Sequence, residues 1–147
     1  MTRVQPAGTH YGTSARESFL TATPARQAYL ILYAGFTILP IVAGLDKFFH
    51  VLVNWDAYLA PIVPRILPVT AHTFMLAVGG IEIVAGLLVL FRPRIGAYVV
   101  AFWLWGIIVN LLLIPGYFDI ALRDFGLSLG ALALARLSQE YSGPSAG

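Results

Sequence analysis

Four long apolar stretches, separated by short polar breaks, dominate the hydrophobic pattern of this chain. A helix needs about 20 mostly apolar residues to cross the hydrocarbon core of a bilayer, and continuous apolar runs of that length predict membrane helices. The pattern predicts helices over residues 27–49, 70–91, 95–114 and 119–137. In the last of these, Arg123 and Asp124 must enter the membrane, because only residues 125–135 are free of charge. We therefore predict an all-α, polytopic membrane four-helix bundle.

The segments outside these helices have a different composition. Residues 1–26 are rich in Thr, Ser, Ala and Gly without apolar periodicity, and we expect a flexible tail there and a second tail at 138–147. Residues 50–68 contain Trp55, Tyr58 and three prolines, and are too broken for a span. Because Trp and Tyr favour the headgroup level, we predict an interfacial or re-entrant segment between helices one and two, with an ordered loop as the alternative.

Composition agrees with a membrane location and removes several functions. The chain is 59% hydrophobic and 11% charged, whereas soluble domains average about 25% charged residues. It has no cysteine, which excludes disulfides, thiolate catalysis and cysteine-ligated metals. The few basic residues are spread among predicted loops, so we expect the lipid bilayer rather than nucleic acid as a partner.

The distribution of basic residues predicts the topology. Cytoplasmic loops of membrane proteins carry an excess of Lys and Arg. One predicted side carries Arg3, Arg16, Arg26, Arg92, Arg94 and Arg136, and the other carries Lys47, Arg65 and Arg123. This asymmetry predicts that both termini are cytoplasmic.

Glu82 lies near the middle of the predicted second helix, within the apolar run 73–91. Carboxylates inside the membrane are costly and usually mark function or a charge pair. Gly79 and Gly86 share its helical face, which predicts close helix packing there. Two roles stay open for Glu82: a structural ion pair, or a carboxylate that exchanges protons or contacts a ligand. Arg123 and Lys47 are its competing candidate partners.

Other polar residues fall in the same half of the predicted bundle, at depths counted along each helix. Together with Glu82 they form a predicted intramembrane polar site of Asp46, Lys47, Asn110, Arg123 and Asp124. We expect Asp46 and Lys47 to form a solvated pair at the interface, and Asn110 to make an interhelical hydrogen bond.

Two further patterns concern packing and metals. Gly126 and Gly130 on the predicted fourth helix would let a neighbouring backbone approach closely. His50 and His72 show no metal-ligand spacing, so no metal site is predicted.

Trp103 and Trp105 are interpreted as lipid or packing contacts, with a quinone slot as the less favoured alternative. No motif identifies a catalytic residue, and the chain is not expected to catalyse a reaction on its own.

Two motifs carry a family resemblance. Gly44-x-x-Lys47 ends the first helix, and Gly79-x-x-Glu82-x-x-x-Gly86 occupies the second, before the Arg92-Pro93-Arg94 turn. Over residues 30–137 the chain resembles the DoxX-like family of small four-helix bacterial membrane proteins. The resemblance implies a bacterial cytoplasmic (inner) membrane, and a family link to thiosulfate:quinone oxidoreduction.

Two classes of function follow from this pattern and resemblance. The first is an accessory subunit of a larger membrane complex, redox or quinone-linked, with other membrane subunits as partners. The second is a self-contained quinone-interacting protein or small-solute carrier that uses the intramembrane carboxylate. No cofactor is evident from the residues, and a quinone is the small molecule that both classes accommodate.

Overall fold

In the computed structural model, residues 19–141 are described, and they form helices joined by short connections without strands. The helices are α1 (Pro24–Phe49), α2 (Ile62–Ile66), α3 (Ala71–Phe91), α4 (Pro93–Leu112) and α5 (Phe118–Tyr141), with a 3-10 turn at Trp55–Tyr58. Among the described residues α1, α3 and α4 are long and apolar enough to cross a membrane. The all-α class is therefore confirmed for this part of the chain, as is the coarser prediction of several helices long and apolar enough to span a membrane.

The helix ends differ from the predicted ones by a few residues, for local reasons. α1 begins before residue 27 because Thr23 accepts a hydrogen bond from the Arg26 amide, and Pro24 occupies the first helical position. The N-terminal tail was thus predicted too long, and so was the C-terminal tail, because α5 continues to Tyr141. Residues 1–18 and 142–147 lie outside the described residues.

The ends of the two middle helices follow the same logic. Thr70 caps α3 through a hydrogen bond from the Thr73 amide. Pro93 at the first position starts α4 immediately after Arg92, two residues before the predicted start. α4 then ends at Leu112, before the turn that contains Gly116 at a φ of 98°.

The four long helices pack in a ring. α1 contacts mainly α3, α4 contacts mainly α5, and contacts of α3 with α4 and of α1 with α5 close the ring. The chain runs up and down through the ring, since short turns join α3 to α4 and α4 to α5. The start of α1, the end of α5 and the Arg92 turn consequently share one end, where Arg26 lies over the ring of Tyr141.

Glycines permit the close approach of α1 and α3. A Cβ on Gly44 would lie 2.5 Å from the Gly79 carbonyl oxygen, and one on Gly86 would lie 2.8 Å from the Thr37 oxygen. The packing role predicted for Gly79 and Gly86 is therefore observed in this seam. Gly44 was not among the predicted packing residues.

The corresponding prediction for α5 is wrong. A Cβ on Gly126 would meet nothing within 4 Å, and one on Gly130 would meet only the ring of Phe36, at 3.3 Å. No backbone approaches this pair, because α5 contacts its neighbours through a different face, which buries alanines at 131 and 135.

The half of the bundle near the Arg92 turn contains a cluster of closely packed, buried side chains. We call its cluster of buried side chains the closed half; its members are Tyr29, Ala85, Val89, Ala97, Val100, Ala101, Ala131, Leu134 and Ala135. Five of these nine residues are alanines, so the helix backbones approach closely. The other end of the bundle is covered by residues 50–70, which we call the covering segment.

Candidate functional site

A cavity of about 590 Å³ lies between the long helices in the half away from the Arg92 turn. Most of its wall is apolar and comes from α1, α3, α4, α5 and the covering segment. Five of the six residues of the predicted polar site line it: Lys47, Glu82, Asn110, Arg123 and Asp124. Residues that were grouped by their predicted depth in four helices therefore line one cavity, whereas Asp46 lies outside the cavity wall.

An ion pair forms one side of the cavity. Lys47 Nζ donates a hydrogen bond to Glu82 Oε2 at 2.6 Å, and the two side chains are only 2% and 10% exposed. Lys47 Nζ also lies 3.8 Å from the centre of the Trp55 ring. Of the two partners that the sequence left open for Glu82, the structure selects Lys47, which is shielded by a cation–π contact.

Asp46 and Lys47 do not form the solvated interfacial pair that we expected. Asp46 is 7% exposed, and it accepts hydrogen bonds from the Val51 and Leu52 amides and from Trp55 Nε1. The reason is that the chain turns back after α1 and covers both residues. Asp46 therefore fixes the turn, and through Trp55 it supports the surroundings of Lys47.

Asn110 fixes the other end of the covering segment. Its amide nitrogen donates to the Tyr58 carbonyl at 2.6 Å, and its amide oxygen accepts from the Ala60 amide at 2.8 Å. The predicted interhelical hydrogen bond is thus a helix-to-segment bond instead. Ala60 is fully buried by this contact, so residues 50–68 close the end of the cavity through a 3-10 turn and the short helix α2.

Arg123 and Asp124 lie on the α5 wall. Arg123 is exposed and Asp124 is 9% exposed. Within residues 19–141 neither side chain forms an ion pair, so the predicted bridge from Arg123 to Glu82 is absent. The wall therefore offers a guanidinium and a carboxylate that no side chain of the described region neutralises by direct contact.

Trp103 adds an indole N–H to the cavity wall, at a position where the sequence favoured a lipid or packing contact over a quinone slot. Its indole lines the cavity, and its buried Nε1–H interacts with the Glu82 carboxylate, although the contact falls short of full hydrogen-bond geometry. Buried indole N–H groups usually find an acceptor, and this one shares the Glu82 carboxylate with Lys47. The sequence had placed Trp103 on one helical face with Gly106 and Asn110.

The chemistry of the cavity follows from this inventory. Its wall carries two cations and two carboxylates, Lys47, Arg123, Glu82 and Asp124, of which one pair is in direct contact. The formal charges cancel, so a bare ion gains little there, whereas an apolar molecule with one or two oxygen acceptors can satisfy the indole and guanidinium donors.

Fold and site together define a helical, multi-pass membrane protein with an internal, mostly apolar cavity. No protein-family model, curated protein or solved structure matches this chain. The DoxX-like resemblance therefore stays a prediction, and the cavity is the feature that bears on function.

Proposed function

We propose that this protein binds, within the membrane, a small molecule that has an apolar body and an oxygen-bearing head group of the quinone type. The observation that carries the proposal is an apolar cavity whose wall holds the buried Lys47–Glu82 pair beside the indole N–H of Trp103. The volume of about 590 Å³ lies within the roughly 300–1,000 Å³ of ordinary ligand sites. Apolar walls with a few placed polar groups are also the usual lining of such sites.

The polar groups suggest how such a head group would be held. A carbonyl oxygen of the ligand would accept from Trp103 Nε1, and Arg123 on the neighbouring helix α5 would contact a second oxygen. The Lys47–Glu82 pair supplies a buried acid and base to the same space. This arrangement matches the self-contained class of function, in which Glu82 exchanges protons with the bound molecule.

The proposal includes a fourth membrane span, formed by α5. Its 24 residues extend about 36 Å at 1.5 Å per residue, enough to cross a bilayer. Its outward side chains are apolar, with Leu122, Phe125 and Leu129 at least half exposed, while Asp124 and Ser128 are turned inward and buried. A helix that is apolar outside and polar inside is suited to lipid, and Arg123 can extend to the interface along its stem.

In this placement the covering segment lies at one membrane surface. Val51, Leu52 and Ile66 are 80%, 68% and 71% exposed, which suits contact with the headgroup region better than contact with water. The bacterial inner membrane and cytoplasmic termini remain part of the proposal through the arginine asymmetry and the family resemblance. The accessory-subunit class also stays a prediction, because the exposed apolar helix faces suit lipid as well as a partner subunit.

The binding test compares two tryptophans. Binding of a short-chain alkyl benzoquinone to detergent-solubilised protein is measured by equilibrium dialysis against matched empty micelles. Trp103→Phe keeps the ring and removes the donor, and the loss of one hydrogen bond should weaken binding roughly three- to tenfold. Trp105→Phe is the matched control, because Trp105 lies beside Phe102, outside the cavity wall.

Two results would overturn the proposal. One is quinone retention by the wild-type protein no greater than retention by empty micelles. The other is equal weakening by Trp103→Phe and Trp105→Phe, which would indicate partition onto the outer surface. Mass spectrometry of protein extracted gently from native membranes separates the two classes of function, since stoichiometric partner polypeptides indicate a subunit and a co-extracted quinone indicates the binding protein.

A further inference from the structure

A second cluster of polar side chains lies at the covered end of the bundle, outside the cavity wall. His50 follows α1, Asp56 lies in the 3-10 turn, and His72 lies in the first turn of α3. One ligand atom from each residue lies within 4.8 Å of the others. The cluster thus joins the end of α1, the covering segment and the start of α3.

The set of atoms suits a transition metal. Two imidazole nitrogens and one carboxylate oxygen are ligands that zinc and related divalent ions prefer, whereas calcium and magnesium prefer oxygen alone. His72 Nδ1 and Asp56 Oδ2 are 3.2 Å apart. Two ligands on a tetrahedral zinc, with bonds of about 2.0–2.2 Å, are about 3.3 Å apart, so this pair already has the required spacing.

Asp56 provides an independent observation. Its Oδ1 is buried and has no hydrogen-bond partner among the described residues, although Oδ2 is bonded to His72. A carboxylate oxygen buried without a donor is costly, and native proteins normally satisfy it. A bound cation would satisfy it directly.

His50 provides a third observation. It has a φ of 52°, the only positive φ among the described residues other than glycine. This left-handed conformation is common where a helix ends, and the His50 amide donates to the Asp46 carbonyl there. Here it places the His50 imidazole 5.4 Å from that of His72, with the two rings nearly parallel. Rotation of the His50 side chain that shifts its ring nitrogen by about 1–2 Å would bring the nitrogen to ligand spacing and complete a three-ligand site.

We infer that His50, Asp56 and His72 form a binding site for a divalent transition-metal ion of the zinc class. The three protein ligands leave a fourth position for water, since His72 is the most exposed of the three residues. The ion would tie the covering segment to both α1 and α3. Sequence reasoning had predicted no metal, because the ligands come from separate elements and show no motif.

The test is a zinc titration of full-length, tag-free protein in detergent after chelation and removal of the chelator. Binding is followed by competition with a chromophoric zinc indicator, and the melting temperature is measured with and without Zn²⁺. We expect one Zn²⁺ per chain and a melting temperature that rises on addition. Millimolar Ca²⁺ should not compete, because the site has two nitrogen ligands.

Three variants remove one ligand each. His72→Ala and Asp56→Asn should weaken zinc binding at least about tenfold. His50→Gly should do the same while leaving the melting temperature of the metal-free protein unchanged or higher, because glycine tolerates the positive φ. This combination separates loss of a ligand from loss of folding.

Two controls match these variants in chemistry. His10→Ala removes the third histidine of the sequence, and Asp119→Asn removes an exposed carboxylate in the first turn of α5. Both should bind zinc as the wild type does. The inference is wrong if the wild type binds no zinc at tens of micromolar, if the three ligand variants bind normally, or if either control abolishes binding.

Discussion

The two halves of the bundle use the same four long helices in opposite ways. In the closed half, alanines at 97, 101, 131 and 135 are at most 1% exposed, and the helices touch through small side chains. In the half that contains the cavity, facing positions carry Trp103, Phe74 and Leu104 and the ion pair. Ala85 and Val100 belong to both regions and mark the boundary.

This contrast separates a wide region of the bundle from a narrow one. Large side chains and the charged groups line the cavity. Small residues elsewhere bring the same helices together, which anchors the separation at one end. The ionisable groups of the candidate site all lie in the half that contains the cavity, which we call the open half. The closed half therefore supplies rigidity, and the open half supplies the chemistry.

The largest effect is expected from breaking the ion pair of the open half. Lys47→Met leaves the Glu82 carboxylate buried without its partner, which should lower the free energy of unfolding by about 3–5 kcal/mol. The measurement is thermal or denaturant unfolding in detergent. Arg65→Met is the control, because this exposed cation of α2 should change stability by no more than about 0.5 kcal/mol.

A double variant tests whether the loss comes from an uncompensated charge. Lys47→Met combined with Glu82→Leu removes both charges, and it should recover much of the stability lost by Lys47→Met alone. Glu82→Gln alone should also destabilise the protein, because Lys47 then loses its anion. Unchanged melting temperatures for Lys47→Met and Glu82→Gln would contradict a structural role for the pair.

The next effect compares the same substitution in the two halves. Ala131→Leu in the closed half, at a fully buried position, should cost about 1–3 kcal/mol through overpacking. Ala43→Leu adds the same atoms to the cavity wall, where space exists, and should cost less than about 1 kcal/mol. Unfolding measurements on both variants check the difference.

The second variant also connects packing with function. Ala43→Leu should reduce benzoquinone binding, because its side chain takes up part of the cavity, while Ala131→Leu should not. Equal destabilisation by the two variants would show that the open half is packed as densely as the closed one.

The sequence predicted the helical class well, because run length and apolar composition decide it with little help from tertiary structure. It also found most of the polar site, because isolated charges in apolar runs are conspicuous and their depth can be counted. The partner of Glu82 could not be predicted in the same way. The sequence left both Lys47 and Arg123 open, and only the packed positions of the helices decide between them. Helix ends were displaced where a cap such as Thr23 lay outside the apolar run.

The covering segment shows where sequence reasoning fails. Asp46, Asn110 and Asp56 acquire their roles from the path of the chain between α1 and α3, which has no periodicity to predict it. The contacts between His50, Asp56 and His72 depend on this path as well. Trp103 lies inside the bundle, where a packing contact was one of its predicted environments, and the quinone slot stays a prediction.

The smallest predicted effect distinguishes open space around Gly106 in the cavity wall from close packing around Gly44. A Cβ on Gly106, which lines the cavity, would meet nothing within 4 Å, whereas a Cβ on Gly44 would lie 2.5 Å from the Gly79 oxygen. Gly106→Ala should therefore raise the free energy of unfolding by up to about 0.5–1 kcal/mol, since glycine inside a helix is entropically costly. Gly44→Ala should lower it, because the α1–α3 seam must separate. If both variants raised the free energy of unfolding, helix propensity would outweigh packing at Gly44. If both lowered it, the cavity wall near Gly106 would not be open.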